Sequence, residues 1–192
     1  MDLIYVRIDE NDAVTSGFLK NYRGDFDVST DTEQVSNDFA IERALPKDRA
    51  ELLYEEGAIS TIVYSEGTEY GGVIDSSVID VSAGTITYKG RTWRGILSGY
   101  IIEPPAGQDY LIVSGNLAES LRLLPMGDWI EVEDTEYTGG TFQFDRYVPT
   151  FDGATKLLKA ANAALRMSFS FVSEGSGGKA KLKLEEARDL TQ

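Results

Sequence analysis

Residues Thr68 to Pro105 read TEYGGVIDSSVIDVSAGTITYKGRTWRGILSGYIIEPP, and this stretch decides the fold class. Val73, Ile74, Val78, Ile79 and Val81 are β-branched and suit a pleated, half-buried surface. Ser82-Ala83-Gly84 supplies a turn, and Thr85-Ile86-Thr87-Tyr88-Lys89 answers with alternation at period two. The spacing predicts a long β-hairpin ended by Gly90. Within its first strand, Gly71-Gly72 reads as a bulge or sharp bend of the kind a curling sheet needs. Trp93, Ile96 and Leu97 then share one side of a helical turn. Pro104-Pro105 stops the short apolar run Tyr100-Ile101-Ile102, since proline donates nothing to a ladder.

Outward from that stretch, strands are predicted at 3–8, 22–28, 38–42 and 59–65. Residues 29–37 read as polar loop, and a turn or two of helix is expected over 46–54, ended by Gly57. Residues 1–105 therefore read as a small β-barrel domain with little helix. Residues 106–192 read as an α+β domain. Asn116 caps a helix running to Leu124, 129–132 and 141–148 are short strands, and Phe142 and Phe144 share a face. Asp152 is expected to cap an amphipathic helix whose apolar face is Ala154, Leu157, Leu158, Ala161 and Leu165. Met167 to Phe171 and Lys179 to Leu184 alternate strictly around the loop 174–178, so the helix is expected to pack on a β-hairpin. The fold class is thus α+β, mostly β.

The 192 residues suffice for a large core, and 42% hydrophobic content is that of a globular chain. No apolar run approaches the ~18–20 residues of a membrane span, and Met1-Asp2-Leu3 lacks the basic start of a signal peptide, so a soluble protein is expected. Cysteine and histidine are both absent. Disulfides, thiolate nucleophiles, Ser-His-Asp triads and His-ligated zinc drop out together, and no enzyme activity, catalytic residue, metal or cofactor is expected. The formal charge is −14, and residues 1–105 carry 9 basic against 19 acidic side chains. Such a surface repels phosphate backbones and anionic bilayers, so neither nucleic acid nor membrane is an expected partner.

The remaining motifs read structurally. Glu131, Glu133, Asp134 and Glu136 lack the spacing of a calcium loop and read as a solvated strand edge. Glu55-Glu56 would need a facing carboxylate to act as a glycosidase pair. Gly175-Ser176-Gly177-Gly178 leads into a strand, whereas a phosphate loop opens a helix. Trp93 beside Ile96 and Leu97 reads as core rather than as a sugar platform with Trp129 and the tyrosines.

Taken in order, several of these segments resemble the tail hub (baseplate hub) proteins of long-tailed bacteriophages and prophages. The carriers are Tyr22 to Val28, the run from Gly72 through Gly90-Arg91-Thr92-Trp93-Arg94-Gly95-Ile96-Leu97 to Pro105, Phe144-Asp145-Arg146-Tyr147, the helix from Phe151 to Leu165, and Glu186-Ala187-Arg188-Asp189. The resemblance implies a tail-tube-like barrel in 1–105 and a homotrimer placed between tail tube and tail tip. It also implies other tail and baseplate proteins as partners, and a virion-tail location after assembly in the bacterial cytoplasm. It further implies a lumen that conducts DNA, for which an acidic wall is suited. Family members run past the position of Asp189 into a further barrel, so a longer native chain is an expectation. The alternative reading is a carboxylate-based cell-wall hydrolase or a carbohydrate-binding module at the tail tip.

Overall fold

The computed structural model describes residues 1–28, 36–173 and 178–187. The chain divides into two compact units, Met1–Gly95 with Ser170–Gly178, and Ile96–Phe169 with Lys179–Gln192. The passage from first to second falls inside a helix, upstream of the Pro104-Pro105 pair.

Unit 1 is built on seven strands: β1 (Ile4–Asp9), β2 (Val14–Phe18), β3 (Tyr22–Phe26), β4 (Asp38–Ala44), β5 (Ile59–Tyr64), β6 (Gly71–Asp80) and β7 (Thr85–Thr92). They form one antiparallel sheet in the order β2-β1-β5-β6-β7-β4-β3, curled into a half-barrel. The curl is visible in the packing. Leu3 and Tyr5 from one end of the sheet share a cluster with Tyr22, Phe26, Phe39 and Ile41 from the other. Val63, Ile74, Ile86 and Tyr88 fill the middle. The Tyr22 hydroxyl donates to the Met1 carbonyl, which ties the two ends together. Burying such side chains contributes about 1.5–3 kcal/mol each, and here they come from six strands and the segments between them.

The sequence reading holds for β1, β3, β4, β5 and the hairpin, and departs in four places. Val14–Phe18 is a strand that the polar run VTSGF did not announce; it forms because the turn at Asp9–Ala13 returns it against β1. The helix expected over 46–54 shrinks to a 3-10 turn, Arg49–Glu51. Asp48 caps it by accepting from the Ala50 N–H, and Leu52 is extended so that Leu53 enters the core. Strand β7 does not end at Gly90. It continues to Thr92, since Gly90 faces Ile74 across the ladder and the Phe39 ring covers the place its side chain would take.

Gly71-Gly72 is likewise no bulge. Both residues pair regularly, with Tyr64 and Val63, and the register shift falls between Ile74 and Ser76. A β-carbon on Gly72 would lie 2.0 Å from the Arg91 carbonyl oxygen, so close approach of the neighbouring strand demands the glycine.

Helix α1 (Trp93–Ser98) leads from unit 1 into unit 2, which continues with β8 (Ile101–Ile102), β9 (Ile112–Asn116), α2 (Leu117–Arg122), β10 (Ile130–Val132), β11 (Thr138–Gln143), β12 (Val148–Pro149), α3 (Thr150–Ala161), β13 (Leu165–Phe171, its last two residues in unit 1) and β14 (Ala180–Glu186). Asn116 caps α2 as expected, accepting from the Glu119 N–H at 3.1 Å. Helix α3 starts two residues before Asp152, which sits in its first turn rather than at the cap. It also stops before Leu165, which belongs to β13. The region read as one strand over 141–148 is split between β11 and β12.

Strands β13 and β14 alternate buried and exposed residues as their period-two pattern requires, and β10 joins β14 in parallel. Helix α3 lies closest to β11, β12 and β8. Gly153 allows this, since Ile102 and Phe144 occupy the space beside it. The loop predicted at 174–178 falls, except for Gly178, outside the described residues.

Candidate assembly surface

The β6–β7 hairpin leaves a sheet edge uncovered. Strand β5 follows β6 through three pairs, Tyr64 with Gly71, Val63 with Gly72 and Ile62 with Val73. At Asp75 the ladder to β7 shifts by a residue, and a bulge of this kind bends its strand. Arg91 grips Asp75 with two charge-assisted bonds of 2.7 and 2.8 Å, fixing the departure. Beyond it, Ser76 to Asp80 pair with β7 on one side and with no described strand on the other.

That free edge carries an exposed apolar side chain on each face. Val78 and Ile79 are 56% and 52% exposed on opposite sides of the strand, and Val81 at the turn is 83% exposed. The terminal edges β2 and β3 are also short, five residues each, and expose Thr15, Ser16, Arg23 and Asp25. The unpaired part of β6 is equally short, has a bulge at its root and exposes Ser76 and Asp80, and differs in presenting Val78 and Ile79 beside them. Its turn is also held in one shape: Asp80 accepts from the Ser82 hydroxyl and the Ala83 N–H, and these bonds hold its carboxyl below the usual range. Gly84, at φ 65°, completes the turn in the left-handed region.

The root of the hairpin is anchored in unit 1. Trp93, 1% exposed, lies against Gly71 and stacks at 5.6 Å on Phe171, which also meets Tyr64 at 4.7 Å. Beside it Arg94 is buried, donating to the Val28 carbonyl and pairing with Glu69. This cation clamps the end of β3 to the turn that opens β6. Nothing in the run RTWRG distinguishes Arg94 as buried, and a surface place is the ordinary expectation for arginine.

Unit 2 adds exposed apolar side chains of its own: Ile101, Ile112, Leu123 and Tyr147. Tyr147 has φ 57°, an uncommon region for a bulky residue, and is 65% exposed. Arg146 lies over the Tyr110 ring at 4.6 Å and pairs with Asp109, ordering the surface next to it.

The residues singled out from the sequence take unremarkable chemical places. Glu131 pairs with Lys181 and Asp134 with Arg122, each at 2.6 Å, while Glu133 and Glu136 are exposed. The Lys181 contact lowers the Glu131 carboxyl below its ordinary range. Glu55 pairs with Arg49 at 2.7 Å, and Glu56 is exposed. Trp93 is core and Trp129 half-buried. Among the described residues, no group of three or more acidic side chains is arranged to hold a metal ion. No described helix is long and apolar enough to cross a membrane.

No family model matches the chain, and no curated protein matches it in sequence. Solved structures do match in fold. The 43 kDa tail protein of prophage MuSo2 from Shewanella oneidensis aligns at TM-score 0.50 and 17% identity, over 95% of this chain and 54% of that one. The tail protein from Neisseria meningitidis MC58 aligns at TM-score 0.50 and 14% identity, over 95% of this chain and 50% of that one. This chain therefore has the fold of tail proteins and spans about half the length of both.

Proposed function

We propose that this protein is a structural component of a phage or prophage tail, a hub or baseplate subunit that links the tail tube to the tail tip. In this reading it works without catalysis, by fitting against copies of itself and against other tail proteins in the assembled virion, and the assembly is a homotrimer. The observation that carries the reading is the unpaired outer edge of β6 with Val78, Ile79 and Val81 exposed, on a chain whose fold matches two tail proteins over 95% of its length. An edge of that kind is a liability in a free monomer and an asset in an assembly. The excess of acid over base in residues 1–105 supports a wall along which DNA slides without adsorbing.

The test is to label the protein in the phage or prophage that encodes it and image purified tails. Label at the tip-proximal end of the tube is expected, with tailless or tube-capped particles when the gene is removed. Normal infectious tails free of the protein would overturn the proposal. Sedimentation of the purified protein reads the stoichiometry.

A further inference from the structure

Unit 1 holds a second feature that its tail role does not account for. A recess of about 380 Å³ opens where β1, β2 and the end of β4 meet the segment before Leu53. Arg7, Lys20 and Arg43 line it, with Glu51 as the acid among its lining residues. In a chain of net charge −14, cations are scarce, and those at Arg49, Arg91, Arg94, Arg122, Arg146, Lys156, Arg166 and Lys181 are spent on acidic partners. Arg7, Lys20 and Arg43 make no ion pair with any described residue. Arg7 uses its Nε on the Leu52 carbonyl, at 2.9 Å. Arg7 shares the face of Tyr5, and Arg43 the face of Ile41, so two arginines stand on the core side of the sheet at its end. Strands hold both in place, and the stems are half-buried.

Beside the recess lies the outer edge of β2, the last strand of the sheet, whose outward N–H and C=O groups pair with no described strand. Thr15 and the exposed Phe18 of that strand also line the recess. We infer that this corner receives a short, extended acidic segment of a partner protein, added along β2 with alternate carboxylates reaching Arg7, Lys20 and Arg43. Strand addition gives main-chain bonds, and period two delivers every second side chain to the same face. Nucleic acid fits poorly: three clustered cations in a chain of net charge −14 offer no track for a phosphate polymer. An island of positive charge selects a local cluster of carboxylates, and Phe18 adds apolar contact beside it.

The probe is an acetylated hexapeptide alternating glutamate and threonine, with the glutamine version as control and inorganic phosphate as competitor. Saturable binding to the full chain is expected at low salt, fading as salt rises toward ~0.5 M. Lys20→Glu, on an exposed side chain, is expected to weaken it about tenfold or more, and Arg43→Glu likewise, with circular dichroism confirming the fold. Equal binding of the glutamine peptide, no saturation at ~1 mM, or unchanged affinity in a folded Lys20→Glu variant would each overturn the inference. So would full displacement by phosphate at the affinity of the peptide, which would reduce the corner to a simple anion site.

Discussion

The indole Nε1 of Trp93 lies 2.8 Å from the point where a side chain on Gly71 would begin. The glycine exists to let the ring in. Tyr64, paired with Gly71 across the ladder, and Phe171 complete the aromatic group around it.

Gly71→Ala should therefore destabilise the protein by about 1–3 kcal/mol, the usual cost of overpacking a tight site. Gly84→Ala, where nothing lies near but φ is 65°, serves as a backbone control with a loss of about 1 kcal/mol. Urea denaturation of the two variants measures both. A neutral Gly71→Ala would mean that the ring is free to move aside.

Arg94 is the charge with most at stake in unit 1. Its side chain is 5% exposed against 29% for Glu69. Arg94→Ala leaves a half-buried carboxylate and the Val28 carbonyl without the cation, and a loss of about 3–5 kcal/mol is expected. Arg94→Met, of similar length, should recover part of the packing but not the charge pairing. Equilibrium unfolding distinguishes the two.

Tyr88 accepts a hydrogen bond from the Leu53 N–H at 3.2 Å inside the core. Tyr88→Phe keeps the ring and strands that N–H, for an expected cost of about 1–3 kcal/mol. Burial raises the Tyr88 phenol above its ordinary value of 10.0. The folded state thus holds this proton more tightly than the unfolded chain, so stability is complete below about pH 10 and falls as pH climbs through the folded value. The phenylalanine variant should lack that component in an alkaline unfolding titration.

Asp152 titrates at the acid end in the same sense. Burial raises its carboxyl above 3.8, with Lys156 opposing. A raised carboxylate favours the folded state while protonated, so its contribution is lost as pH rises from below 3.8 through the folded value. Asp152→Asn should match the parent at pH ~3 and exceed it in stability at neutral pH. Melting curves across that range check the sign.

The hairpin edge yields the prediction closest to function. Ile79→Lys combined with Val81→Lys should leave the fold intact, since both side chains are more than half exposed, while abolishing self-association. Sedimentation and circular dichroism on one sample read both outcomes. Association that survives both lysines would place the contact elsewhere.

Much of this architecture was legible beforehand where side-chain period and local polarity agree. Met167 to Phe171 and Ala180 to Leu184 alternate in sequence and in burial alike. Asn116 announced the start of α2. Strand β2 was illegible because VTSGF carries little apolar signal and owes its form to β1 beside it. The 46–54 segment misled for a related reason: Leu52 and Leu53 suit a helix, and the core of unit 1 pulls Leu53 inward instead.

By itself the chain of letters settled most of the element types, the missing chemistry of cysteine and histidine, and the sign of the charge. Those depend on residue identity and on neighbours a few positions away. Which edge stays open, which arginine is buried and which cations stand unpaired depend on groups brought together from distant positions, as Arg94 with Val28 and Glu69, or Arg7 with Arg43. Hydrogen bonding and charge pairing act over a few ångströms of space, and no pattern along the chain encodes those separations.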